Sequence, residues 1–301
     1  MAQLVQQALN ALQLGSVYAL IALGYTMVYG ILRLINFAHG DIFMVSAYLG
    51  LFVAGFLISM GHVPVWLTFV ITMLASMAGT SLIAVCIERV AYRPLRNAPR
   101  VSLVITALGM GLFLENFTLA TMKAEPRKMP PLIPVVNMDL GGVSISTIQV
   151  VIILMSLVLM VLLDTIVRKT MTGMAMRAIS FDKSTVPLMG VPLDRIISLT
   201  FAIGSSVAAA GGILYGIAYP VIDPYMGVRI GWWAFIAAVV GGIGNVRGAM
   251  LGAYILGFIE IFTPLVLPSS TYRDFVAFSV LLVFLVFKPT GILGRPSAQK
   301  V

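Results

Sequence analysis

The chain has 301 residues, of which 60% are hydrophobic and 10% charged, and its formal net charge is +8. Soluble domains carry about 25% charged residues, so this composition excludes an ordinary soluble domain and favours an integral membrane protein. Its apolar runs are about 20 residues long and show no period-two alternation, which argues against a β-barrel. We therefore expect an all-α, polytopic membrane helical bundle.

The positive charge does not indicate a nucleic-acid partner. The basic residues lie in short loops beside apolar runs, where such residues set orientation and contact anionic membrane lipids. Cys86 is the only cysteine, and His39 and His62 are the only histidines. These counts exclude an intrachain disulfide and a thiol-based metal cluster, and we expect no metal site.

Apolar runs predict the membrane spans in chain order. The first six lie at about residues 9–29, 42–61, 64–86, 101–120, 148–167 and 196–219. The run 231–267 is too long for one helix, so it makes two passes, or one pass and a re-entrant piece. A last span near 274–288 brings the total to about eight or nine. We expect the whole chain, 1–301, to form a single transmembrane domain.

Polar residues interrupt or occupy the apolar spans at four places. The segment GILRLINFAHGD (30–41) separates the first two spans, and GGIGNVRG (241–248) divides the long run. Such breaks line substrate paths in transporters, although each also fits a short cytoplasmic turn. Carboxylates within spans are costly and face the bundle interior or water, either for function or to pair with an Arg. The candidate path residues are Asn36, His39, Gly40, Asp41, Glu115, Gly241, Gly242, Gly244, Asn245 and Glu260.

The orientation follows from the distribution of Lys and Arg. Loops 87–100 and 168–195 are rich in basic residues, and the tail carries Lys288, Arg295 and Lys300. By the positive-inside rule, we expect both loops and the C-terminus to be cytoplasmic. The loop 121–147 then faces outward, and its Pro and Gly content predicts irregular structure. With nine spans, the N-terminus also faces outward.

The longest polar interval, residues 168–195, is called the polar segment below. Residues 173–181 have a helix-forming composition, Asp182 and Ser184 are capping types, and Gly190 fits a C-terminal cap. The segment either contacts a cytoplasmic component or only sets topology. Elsewhere, small residues at every fourth position predict close helix packing, at Gly204, Ala208, Gly212 and Gly216 and again at Gly244, Gly248 and Gly252.

Motifs for catalysis and nucleotide binding are absent from the sequence. It contains no GxxxxGK[ST], HExxH or GxSxG. We therefore expect no enzymatic activity and no ATP bound by the Walker-type route.

Several separate stretches resemble the LivH-type permeases of bacterial branched-chain amino acid ABC transporters. They are GSVYALIALGYTMVYGILRLINFAHGDIFMVSAYLG (15–50), IERVAYRPLRNAPR (87–100), GMAMRA and DKSTVPLMGV in the polar segment, GGIGNVRGAMLGAYILG (241–257) and KPTGILGRP (288–296). They occur in the same order as in the family, and the resemblance covers nearly the whole chain.

The resemblance implies a subunit of an importer in the bacterial inner membrane. This chain would form half of a pore with a second related permease, and a periplasmic or lipid-anchored binding protein would deliver leucine, isoleucine or valine. Two cytoplasmic ATPase subunits would bind ATP and Mg, with no cofactor on this chain. Related permeases carry urea, short amides or other amino acids, so the exact substrate stays open.

The resemblance also implies that the polar segment couples the chain to an ATPase. Within it, Gly173, Arg177, Ala178, Asp182 and Gly190 match the family pattern, whereas Pro187 departs from it. The alternative hypothesis is a stand-alone secondary transporter or channel for a small polar solute. It would use Glu115 or Glu260 as an ion site.

Overall fold

The computed structural model describes residues 1–294, and the protein is an all-α polytopic bundle as predicted. The predicted basic tail residues Arg295 and Lys300 lie outside the described residues. The ten α-helices in the described part are α1 (Ala2–Leu32), α2 (His39–Ser59), α3 (Val65–Ile87), α4 (Arg100–Met122), α5 (Thr147–Lys169), α6 (Met171–Phe181), α7 (Leu193–Ala218), α8 (Met226–Gly241), α9 (Val246–Val266) and α10 (Tyr272–Phe287).

Seven helices in the described residues are long and apolar enough to cross a membrane: α1–α5, α7 and α9. The run 231–267 divides into α8 and α9 at the predicted glycine-rich break. Helices α8 and α10 have 16 residues each. At 1.5 Å per residue they span about 24 Å, short of a hydrocarbon core of about 30 Å. Every predicted span is therefore a helix, but two of them are shorter than a full crossing.

The centre of the bundle is α1, which packs against α5, α7, α8 and α9. Its residues are mostly buried because small residues let the neighbouring backbones approach. Gly24 faces Gly204 of α7, and a Cβ built on Gly257 of α9 would lie 2.7 Å from the backbone of Gly15. Gly204 of the predicted stripe on α7 thus packs closely against α1, and Gly252 of the predicted stripe on α9 packs against α8, where a Cβ would clash with the Ala237 carbonyl.

The loop 123–146 contains more regular structure than predicted. Strands β2 (Asn137–Leu140) and β3 (Val143–Ser146) form an antiparallel hairpin, and β1 (Arg127–Lys128) pairs with β4 (Val221–Ile222). Gly141 and Gly142 have φ of 61° and 86°. Two successive residues with positive φ make the tight turn that joins a hairpin, so the glycines that suggested irregularity instead permit pairing. The expectation of irregular structure was wrong for residues 137–146.

Candidate functional site

Between the end of α5 and the start of α7, the polar segment contains α6, a turn and a 3₁₀ helix (Val186–Met189). Thr170 caps the start of α6, and its Oγ1 accepts a hydrogen bond of 3.1 Å from the Gly173 amide. The predicted helix 173–181 is present and starts two residues earlier, at Met171. Gly190 ends the 3₁₀ helix in the left-handed conformation, with φ 80°, as its predicted capping role requires.

Two of the predicted coupling residues hold the corner between α5 and α6. A Cβ on Gly173 would clash with the carbonyl groups of Ile166 and Val167. The guanidinium of Arg177 donates a hydrogen bond to the same Val167 carbonyl. Both residues therefore fix the angle at which α6 leaves the bundle.

Asp182 organises the turn that follows α6. Its carboxylate accepts hydrogen bonds from both the amide and the hydroxyl of Ser184, at 3.0 and 2.6 Å. It also accepts from the amide and hydroxyl of Thr185, at 3.3 and 2.7 Å. These bonds hold the pKa of Asp182 well below its usual value of 3.8. Ala178 is half-buried, and its carbonyl accepts from the Asp182 amide at 3.2 Å. The predicted residues thus shape the segment from within.

Large apolar side chains, rather than the predicted charged ones, are the prominent exposed groups of the polar segment. Phe181 is 82% exposed and Leu188 is 86% exposed. The exposed apolar set is Met171, Met174, Phe181, Leu188 and Met189. The sequence analysis did not select these residues, although large apolar residues in an otherwise polar loop are the signal that would have identified them.

Two hydrogen bonds join the polar segment to the end of α1. Arg33 donates to the Ser180 carbonyl at 3.1 Å, and Lys183 Nζ donates to the Leu32 carbonyl at 3.0 Å. Burial lowers the pKa of Lys183, as do the nearby charges of Arg33, Arg96 and Arg100. The segment is therefore attached directly to the most buried helix of the bundle.

An ion-pair cluster joins the loop 87–100 to the start of α7. Asp194 pairs with Arg93 and Arg96, and Arg96 also pairs with Glu88. Glu88 is fully buried and accepts a 2.6 Å hydrogen bond from Ser198. The two loops predicted to be cytoplasmic thus lie at the same end of the bundle, joined by Glu88 and Asp194, which the sequence analysis did not select.

The first polar break packs against α1, α8 and the loop 87–100. Asn36 is buried and accepts a 2.7 Å hydrogen bond from the Tyr92 hydroxyl. His39, the first residue of α2, is fully buried, and its ring lies edge-on to Tyr25 with centroids 4.9 Å apart. Gly40 packs against the α8 backbone, where a Cβ would clash with the Gly227 carbonyl. The break therefore places α2 closely against α8.

Asp41 and Glu115 line the same cavity, which has a volume of about 180 Å³. Asp41 is 4% exposed, and its Oδ1 has no hydrogen-bond partner among the described residues. Aromatic rings complete much of the lining. We call the site formed by Asp41, Glu115, Tyr25, Phe37, Trp232 and Phe235 the acidic aromatic pocket. A larger cavity of about 270 Å³ between α3, α5 and α7 has no charged lining residue.

The second polar break forms a turn rather than a wall of this pocket. Gly242 and Gly244 have φ of 110° and 92°. The Asn245 side chain caps α9 by accepting from the amides of Arg247 and Gly248, and it donates to the Leu293 carbonyl at 2.6 Å. A Cβ on Gly241 would clash with the Gly248 carbonyl. The structure therefore places Gly241 at the end of α8, and Gly242, Gly244 and Asn245 in the α8–α9 connection.

Glu260 also lies apart from the residues that line the pocket. It accepts a hydrogen bond from the hydroxyl of Tyr18, whose ring stacks on Trp233 at 6.0 Å. Trp233 in turn donates to Asp274 of α10 at 3.2 Å. Glu260 thus belongs to a network between α1, α8, α9 and α10. Across residues 1–294, no group of three or more His, Cys, Asp or Glu side chains could hold a metal ion.

Comparison with known proteins places the chain among permeases. Residues 7–285 match the family described as "Branched-chain amino acid transport system / permease component". The branched-chain amino acid permease LivH of Escherichia coli (strain K12) is 42% identical over 99% of this chain and 97% of its own length. BraD of Pseudomonas aeruginosa is 42% identical over 99% of this chain and 98% of its own length.

A more distant relative is also similar over nearly the full length of the chain. The probable LivH of Methanocaldococcus jannaschii is 25% identical over 95% of this chain and 91% of its own length. The family match over residues 7–285 covers nearly all of the seven helices that are long and apolar enough to cross a membrane, and all residues that line the acidic aromatic pocket. The chain is a multi-pass membrane protein and belongs to the family of branched-chain amino acid permease components.

Proposed function

We propose that this chain is the permease subunit of an ATP-driven importer of leucine, isoleucine and valine. The observation that carries the proposal is the similarity at 42% identity, over almost the full length, to LivH and BraD. Both are named high-affinity branched-chain amino acid transport permeases. The fold supports it, because a bundle of spanning helices around a buried α1 provides a scaffold for half of a translocation pore.

The proposal includes partners that supply energy and substrate. A second related permease completes the pore, and two cytoplasmic ATPase subunits bind ATP and Mg. A periplasmic or lipid-anchored binding protein delivers the amino acid. This chain itself binds no cofactor and has no catalytic role. In a bacterial inner membrane, residues 87–100, residues 168–195 and the C-terminus face the cytoplasm, where positive charge is favoured.

Within one domain of residues 1–301, the polar segment couples the ATPase to the pore. The exposed apolar set provides the contact, because burying one large apolar side chain contributes about 1.5–3 kcal/mol. Motion of an ATPase then reaches the centre of the bundle through the bonds from Arg33 to Ser180 and from Lys183 to Leu32. Gly173, Arg177, Ala178, Asp182 and Gly190 act by keeping the segment in shape.

A test of function uses a bacterial strain from which the gene for this chain is deleted. We expect uptake of labelled leucine, isoleucine and valine to fall, and the gene on a plasmid to restore it. Urea and acetamide uptake, measured in parallel, control for the other substrates of related permeases. Unchanged branched-chain uptake together with lost urea or amide uptake would overturn the proposed substrate. The affinity-tagged chain should also retain ATPase subunits on purification.

A further inference from the structure

We propose that the acidic aromatic pocket is a recognition site for a primary ammonium group carried on a branched apolar body. The inference deepens the proposed function, because such a group is the amino end of leucine, isoleucine or valine. The pocket joins α1, the α1–α2 connection, α2, α4 and α8. No single stretch of sequence contains it.

The charge of the pocket selects a cation. Asp41 and Glu115 both line the cavity and interact electrostatically with each other. A buried carboxylate without a partner is unfavourable in a membrane protein, and a second carboxylate nearby adds repulsion. Asp41 is 4% exposed with Oδ1 unpaired among the described residues, so a cation here would offset both costs. An anion would meet two like charges.

The aromatic rings favour an organic cation over a metal ion. Trp232 contacts Phe37 and Phe235 with ring centroids 6.0 and 5.8 Å apart, and Tyr25 lies 6.0 Å from Phe235. Aromatic faces attract ammonium groups and also pack against apolar groups. A Ca²⁺ ion takes six to eight oxygen ligands. Two carboxylates among aromatic rings do not provide that number.

The size and position of the pocket fit a small amine. Its volume of about 180 Å³ exceeds the roughly 150 Å³ of an engineered cavity that binds benzene. The mouth lies on the surface of this chain, since Leu112 and Trp232 are 59% and 41% exposed. In the proposed complex, a substrate between the two permeases would present its ammonium group to Asp41 and its branched side chain to the rings.

Trp232 provides the readout, because its ring lines the pocket. The full chain in lipid nanodiscs is titrated with leucine, with 3-methylbutylamine (leucine without its carboxylate) and with 4-methylpentanoate (leucine without its amino group). We expect a saturable change in tryptophan fluorescence with leucine and the amine, and none with the acid. The change should be absent in Trp232→Phe.

Two pocket variants and one control test the role of the carboxylates. Asp41→Asn and Glu115→Gln keep side-chain size, and each should weaken binding of 3-methylbutylamine by about 10-fold or more. Asp139→Asn, on the exposed hairpin, makes the same chemical change outside the pocket and should bind like the unaltered chain. Equal binding of the amine by all four proteins would overturn the proposal, as would equal binding of 3-methylbutylamine and uncharged 3-methylbutanol.

Failure of the pocket proposal and failure of the proposed function give different results. If Asp41→Asn and Glu115→Gln take up leucine in cells with unchanged KM, the pocket does not recognise the ammonium group, although the chain is still a leucine permease. If the unaltered chain supports no branched-chain uptake, the function proposal fails. Amine binding to the isolated chain then still tests the pocket.

Discussion

Gly173 shows how a missing side chain sets the geometry of the polar segment. The carbonyl groups of Ile166 and Val167 occupy the space that a Cβ would need, and Arg177 donates to one of them. A larger residue would push α6 away from the end of α5. Position 173 therefore controls where the exposed apolar set is held.

We predict that Gly173→Val lowers the stability of the chain by roughly 1–3 kcal/mol, because the side chain would overpack a closed corner. Thermal unfolding in detergent and the amount of protein in membranes measure the effect. Gly55→Val is the matched control, since a Cβ at Gly55 meets nothing within 4 Å. Equal losses in the two variants would show that the corner is not tightly packed.

Phe181 and Leu188 are the side chains of the polar segment most available for contact, at 82% and 86% exposure. We predict that Phe181→Ser combined with Leu188→Ser greatly reduces the amount of ATPase that co-purifies with the chain. Two large apolar contacts together contribute about 3–6 kcal/mol if they are fully buried. Quantitative co-purification measures the loss.

The control for that double variant changes apolar residues at a distant place. Val135 and Val136 are 60% and 54% exposed in the loop before the hairpin. Val135→Ser combined with Val136→Ser should leave ATPase co-purification unchanged. Normal co-purification of the Phe181 and Leu188 variant would mean that the ATPase binds elsewhere on this chain.

At the scale of elements, α1 is connected to the polar segment through the ends of two helices. The Leu32 carbonyl is one of the last in α1, and such terminal carbonyls have no partner within their own helix. Lys183 donates to it, while Arg33 donates to the Ser180 carbonyl near the end of α6. A displacement of α6 would therefore act on α1 directly.

We predict that Lys183→Met separates ATP hydrolysis from uptake. The variant keeps an unbranched side chain of similar length but cannot donate to the Leu32 carbonyl, so ATPase motion reaches α1 less effectively. The assembled complex should hydrolyse ATP at near-normal rates while leucine transported per ATP falls several-fold. Lys128→Met, an exposed position on β1 outside the polar segment, is the control and should transport normally. Unchanged transport per ATP in Lys183→Met would contradict this connection.

Features that depend only on nearby residues could be predicted from the sequence, and features that depend on tertiary packing could not. A spanning helix needs only a run of apolar residues, and the cap at Gly190 needs only one glycine with positive φ. The acidic aromatic pocket is different, because Tyr25, Asp41 and Glu115 come from three helices. Their meeting depends on tertiary packing, and so only its two carboxylates were selected as path residues.

The exposed apolar set of the polar segment was not selected either, although large apolar residues in a polar loop were a signal in the sequence. The family resemblance drew attention to Arg177 and Asp182 as coupling residues. In the structure, Arg177 donates to a backbone carbonyl at the end of α5, and the Asp182 carboxylate accepts from the hydroxyls of Ser184 and Thr185. Both charged groups are therefore engaged in local hydrogen bonds. Whether Met171 or Phe181 faces outward depends on how α6 rests on α1 and α5, which requires coordinates.

At the scale of the whole molecule, the two loops rich in basic residues lie at one end of the bundle and the hairpin lies at the other. The loop 87–100 and the polar segment share one end, where Arg93, Arg96 and Asp194 form ion pairs. The hairpin of β2 and β3 packs near the start of α1, where the Ser144 amide donates to Gln6 at 2.9 Å. By the positive-inside rule, we expect the first end to face the cytoplasm and the second to face outward, as in the proposed orientation.

We predict opposite accessibility for Ser184 and Ser144, which are both exposed. In a Cys86→Ser background, each is replaced in turn by cysteine and treated in intact spheroplasts with a membrane-impermeant maleimide. The Ser144→Cys variant should be labelled, and the Ser184→Cys variant should react only after the membrane is opened. Labelling of Ser184→Cys in intact spheroplasts would reverse the orientation.

Transport in proteoliposomes decides whether the chain is a permease driven by partner ATPases. The complex purified through this chain is reconstituted with its binding protein, and labelled leucine uptake is measured with and without ATP. We expect uptake that requires both ATP and the binding protein, and no uptake by the chain alone. Leucine flux driven by an ion gradient through the chain alone, without ATP, would contradict it.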